Sequence, residues 1–163
     1  MKYEALPDEH HVVRLVSHAR LRKDEHDNVI GVEYTAFQLK ASEEGLSVTW
    51  LEYFAADRPA QIVGAVKAIR ASNIKPSKKS GFAIGRVSAI KDTCSGTSKR
   101  RIRVVHWPEA DNMAHCEIRQ FPRDDLELLQ KLALGCWSEL VLNSSVPDGE
   151  KVAPEKPFWL QTA

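Results

Sequence analysis

Cysteine is scarce in this chain and shows no pairing pattern. Cys94, Cys116 and Cys136 are an odd number with no C-x-x-C spacing, which argues against a disulfide framework and against a cysteine-rich zinc site. No apolar run approaches the roughly 20 residues that a bilayer-spanning helix needs. The opening MKYEALPDEHHVV has no apolar core of a secretory leader, so the expectation is a soluble cytoplasmic protein with no membrane contact. Phosphate-binding G-x-x-x-x-G-K-[ST], dinucleotide-binding G-x-G-x-x-G and the G-x-S-x-G elbow of serine hydrolases are all missing. The six histidines include no H-x-x-x-H pair, so no metal is expected. Neither a cofactor nor an oligomeric state is specified by these patterns.

What is present is a concentration of one charge. From Lys75 to Arg103 there are nine Lys or Arg residues and a single acid, Asp92, in a chain whose net charge is only +1. Such an island attracts an anion. The leading expectation is a binding or accessory module that contacts nucleic acid, a phosphate-bearing ligand or an acidic protein surface through basic loops 75–103. Lys75, Lys78, Lys79, Lys99, Arg100, Arg101 and Arg103 would make the contacts. Few aromatics accompany them, Phe82 and Trp107 being the nearest, so nucleic acid would be held by its phosphates rather than by base stacking.

The 163 residues, 43% hydrophobic and 28% charged, suit one globular domain over 1–143. Residues 144–163 hold three prolines and no amphipathic period, which reads as an extended tail. Its Phe158, Trp159 and Leu160 would dock back on the domain or contact a protein partner. Strands are expected at HVVRLVSHA, YTAFQLK, SEEGLSVTWLEYF, FAIGRVSAI, RRIRVVHW and MAHCEIRQF, with LRKDEHDNVIG a polar connection holding a turn at Asp27-Asn28 and the last two strands forming a hairpin. Asp57 before Arg58-Pro59 starts a helix that runs to Asn73. Asp124 and Asp125 start a second, with Leu129, Leu132, Cys136 and Leu140 as its buried stripe through about Asn143. KDTCSGTSK reads as a loop with Cys94 exposed. The fold expected is α+β: one mostly antiparallel sheet of five to six strands with two main helices on one face.

A second functional expectation is a small enzyme. Arg14 interrupts an apolar strand, where a guanidinium needs a partner. His115 and Glu117 share one face of a later strand, and an imidazole there would suit general acid–base work. Arg14, then Ser47 and Thr49 on a strand, then the strand-borne Glu117 follow an order that resembles ADP-ribosyltransferases of the Arg/Ser/Glu type. The resemblance implies an NAD-using transferase in which the arginine and the serine strand hold the dinucleotide and the glutamate steers transfer. It departs from that family at the Glu-x-Glu turn, because Cys116 and His115 precede Glu117. The enzyme cleft would thus gather Arg14, Ser47, Thr49, His115 and Glu117.

Overall fold

The computed structural model describes residues 3–54, 56–97, 101–137 and 139–147. Strict alternation builds its sheet. In HVVRLV, strand β1 (His11–Val16), Val12 and Val16 face one side while Val13 and Leu15 face the other. The same parity runs through β4 (Gly45–Trp50), β5 (Gly81–Arg86), β6 (Arg103–His106), β7 (His115–Arg119) and β8 (Glu139–Leu142). Together they form a six-stranded sheet in the order β6-β7-β4-β1-β5-β8, with every neighbouring pair antiparallel. Where the sequence suggests only a polar connection, a separate hairpin joins β2 (Leu21–Lys23) to β3 (Val29–Val32). Its turn holds Asp27 at φ 65°, and the Asp24 carboxylate accepts the His26 and Asn28 amides, as the Asp-Asn pair leads one to expect.

Both faces of the sheet are covered, so the architecture is α+β. Helices α2 (Val87–Thr97) and α3 (Leu126–Gly135) share one face with Val12, Val16, Leu46, Val48, Cys116 and Ile118. Helix α1 (Arg58–Ala71) lies on the other, against Val13, Phe82 and Ile84. The two helices that share a face are therefore not the pair read from the sequence, since α1 and α3 are separated by the sheet. In α1 the Asp57 carboxylate caps the Ala60 amide at 2.9 Å, proline occupies the first turn, and Ala65, Val66 and Ile69 are buried. Gly64 has a packing reason: a Cβ there would stand 2.8 Å from the Phe54 ring.

Several expected elements differ. SEEGLSVTWLEYF is a strand only over Gly45–Trp50, after which Leu51–Tyr53 turns as a 3-10 helix. FAIGRVSAI is not one strand, and residues 91–97 of the expected loop are helical. After Arg86 the chain turns into α2, which buries Val87, Ile90 and Cys94 at helical spacing, so Cys94 is fully buried rather than exposed. Its Ser, Thr and Gly residues are weak helix formers that concealed it. The carboxy-terminal helix stops at Gly135, and ELVL becomes β8 paired with β5. Leu140 stands four residues from Cys136 and mimics a helical stripe, yet strand parity places Leu140 and Leu142 on one face and Val141 on the other. YTAFQLK forms a single 3-10 turn over Tyr34–Phe37, which drives Phe37 into the core to stack on Trp137 at 4.6 Å.

Beyond β8, Val146 is buried against the α1 side, and Arg70 donates to the carbonyls of Asn143, Val146 and Pro147. Phe158, Trp159 and Leu160 lie outside the described residues. Among the described residues no helix is long and apolar enough to cross a membrane.

Cys116 is fully buried, and desolvation pushes its thiol up from 9.0 to about 12. The folded chain keeps this proton where the unfolded chain loses it. Its contribution to stability is thus complete below pH 9 and is lost as pH rises from about 9 towards 12. All three cysteines are buried, so native protein at about pH 8 is expected to resist iodoacetamide while urea-unfolded protein takes up label at every cysteine. Mass spectrometry checks this, and rapid native labelling would mean that the sheet faces open readily.

Candidate functional site

The site begins with an interruption in the sheet. β1 pairs with β5 at six positions, but with β4 only through Val12↔Trp50 and Val13↔Thr49. Where that ladder stops, Arg14 takes over: its Nε donates to the Ala36 carbonyl at 3.1 Å and its Nη1 to the Ser47 carbonyl at 2.8 Å. The guanidinium thus satisfies a main-chain acceptor of β4 beyond the end of its ladder with β1, and one of the Tyr34–Phe37 turn. Burial lowers its pKa from the ordinary arginine value, and the nearby Glu43 charge opposes that shift.

Beside this opening lies a cleft of about 510 Å³ whose lining includes Arg14, Arg20, Lys40 and Lys75. Among the described residues no Asp or Glu lines it. Hydroxyl-bearing Ser17, Thr35, Ser77 and Ser80 complete its polar wall, and Leu15, Val16 and Leu39 its apolar one. Ser80 is buried and holds the loop in shape, its Oγ accepting the Ser77 amide at 3.1 Å. Lys75 is exposed, with only a long 3.4 Å contact to the Arg70 carbonyl, so its ammonium is able to swing toward a bound anion.

A second cleft of about 100 Å³ shares Arg14, Leu15 and Ile74 with the first. It is lined by Thr49, Asn112 and His115, all buried, and by the acids Glu109 and Asp111. Register explains the grouping, because Thr49 and His115 are direct partners across β4 and β7. His115 Nδ1 lies 2.7 Å from the Trp107 carbonyl and so carries the proton of that bond, while Nε2 stands 3.4 Å from Glu109 Oε1. The Asn112 amide donates to Thr49 Oγ at 3.1 Å. Asp111 accepts the Asn73 amide at 3.0 Å.

Four of the five expected enzyme residues, Arg14, Ser47, Thr49 and His115, therefore line one cleft. Glu117 does not line it and is engaged by Arg119 Nη1 at 2.6 Å. Among the described residues, the expected basic ones are not gathered in one cleft. Lys75 lines the larger cleft, while Lys78 and Lys79 are exposed on the same loop and do not. Arg101 and Arg103 are exposed at β6, with β7, β4 and β1 between them and β5. Four strand spacings amount to about 19 Å. Much of 81–97 is strand and helix rather than loop, and Lys99 and Arg100 lie outside the described residues.

Arg20, Lys40, Glu109 and Asn112 were not singled out from the sequence. Arg20 and Lys40 come from a segment rich in acids, so only the fold reveals that they converge. Among the described residues no group of three or more His, Cys, Asp or Glu is placed to hold a metal ion. The chain matches no family model, no curated protein and no solved structure.

Proposed function

We propose that the protein binds a small phosphate-bearing ligand in the cleft of Arg14, Arg20, Lys40 and Lys75. The observation that carries this reading is a concave site of about 510 Å³ with four cations and, among the described residues, no carboxylate in its lining. That volume falls within the range of small-ligand sites. Arginine forks and a mobile ammonium suit phosphate oxygens, and the surrounding hydroxyls are able to donate to them. Concavity favours a small ligand over a polymer, whose phosphates are better served by an extended stripe of cations. The basic residues at Lys78, Lys79, Arg101 and Arg103 then raise the local concentration of anions without touching the ligand.

Calorimetric titration of the full chain with inorganic pyrophosphate tests this. Affinity is expected to fall at least about tenfold when Arg20, Lys40 and Lys75 are all changed to Gln. Changing Lys78, Lys79 and Arg103 to Gln is expected to alter it by less than about threefold. The reverse pattern, or no binding at low salt, would overturn the reading.

A further inference from the structure

From the smaller cleft we infer that the ligand is a phosphorylated sugar, with its phosphate among the four cations and its hydroxyls against Thr49, Glu109 and His115. The inference rests on the phosphate-binding reading, and it adds what lies beyond the phosphate. The two clefts share Arg14, Leu15 and Ile74, so one molecule is able to occupy both by passing over the exposed Ile74 side chain.

The chemistry of the smaller cleft selects the group. Thr49 is only 3% exposed, and its Oγ already accepts from Asn112, which leaves its O–H to donate into the cleft. Glu109 is half exposed and offers carboxylate oxygens as acceptors. His115 Nε2, fixed in direction by the Trp107 bond, faces the same space. An apolar group would leave the buried Thr49 donor without an acceptor. A second anion would meet Glu109 and Asp111. An ammonium would satisfy the carboxylates but has no lone pair for the Thr49 hydroxyl. A sugar hydroxyl both donates and accepts, so adjacent hydroxyls answer Glu109 and Thr49 together.

The same ligand chemistry occurs in free sugar phosphates and in nucleotides, and the test separates them. Full-length protein would be titrated with ethyl phosphate, ribose 5-phosphate and adenosine 5′-monophosphate. Ribose 5-phosphate is expected to bind about tenfold more tightly than ethyl phosphate, the effect of one or two added hydrogen bonds, one of them to a charged group. A further gain with the monophosphate nucleotide would identify a nucleotide ligand, and no gain or a loss would identify a free sugar phosphate. Glu109→Gln, at a half-exposed position, and the isosteric Thr49→Val are each expected to shrink the ratio of the two affinities to about threefold or less. The ratio is the readout because removing an acid near the cations shifts the affinity of both phosphates. Circular dichroism verifies that the Thr49→Val chain folds, and Glu109→Gln keeps the test available if it does not. Equal affinity for ethyl phosphate and ribose 5-phosphate would overturn the sugar inference alone. Failure of both to bind would overturn the phosphate reading with it.

Discussion

Leu132→Ala is expected to cost about 2–5 kcal/mol of folding stability, because the side chain is fully buried where α3 packs against α2 and the Tyr34–Phe37 turn. The lost methyl groups remove both transfer energy and contacts that the surrounding core cannot fully restore. Urea unfolding should show a lower midpoint at nearly unchanged slope. Leu134 lies on the same helix at 65% exposure, so Leu134→Ala should stay within about half a kcal/mol. Equal effects from the two substitutions would mean that the α3 face is wrongly assigned.

Arg14→Ala is expected to cost about 2–4 kcal/mol, because it withdraws the donors that serve the Ala36 and Ser47 carbonyls at the end of the β1–β4 ladder. Each acceptor left without a partner costs about 1–3 kcal/mol where water cannot reach it, and the adjoining cleft admits some water. Arg14→Lys should recover part of the loss, since an ammonium keeps the charge but not the two-pronged geometry. Arg20→Ala, at an exposed cation of the same cleft, should change stability by less than about half a kcal/mol. Thermal unfolding distinguishes these cases. If Arg14→Ala proved as mild as Arg20→Ala, the guanidinium would be a ligand-binding group without a structural task.

Local signals in the sequence revealed those elements whose chemistry is also local. The caps Asp57 and Asp125 accept the Ala60 and Leu128 amides and mark two helix starts. Alternation marks β1 and β4, and the turn after Trp107 marks the β6–β7 hairpin. Helix α2 escaped because its Ser, Thr and Gly residues argue for a loop, and only the buried face of Val87, Ile90 and Cys94 outweighs them. β8 escaped because four-residue spacing fits both a helix and, by its even parity, a strand. The candidate site was legible residue by residue but not as a set. Arg14, Thr49, His115 and Lys75 were singled out for four separate reasons. What joins the first three to one small cleft, and Arg14 and Lys75 to the larger one, is strand order, a property of long-range pairing that no local pattern encodes. Arg20 and Lys40 reach the larger cleft from outside the six-stranded sheet, and Glu117 is held by Arg119 two residues along its own strand.

Strand order also governs when the chain can fold. β1 is near the amino end, yet it occupies the middle of the sheet, with Val13 paired to Thr49 on one side and to Ile84 on the other. A chain growing from the ribosome would therefore carry Val12, Val13 and Val16 without their final neighbours until β5 has been made. The loops that must close are long, and their entropy has to be overcome before the pairing yields any return. Synthesis rate and chaperone occupancy thus bear more heavily on this protein than on a sheet of successive hairpins, because a central apolar strand waits for β5 before it is paired on both sides.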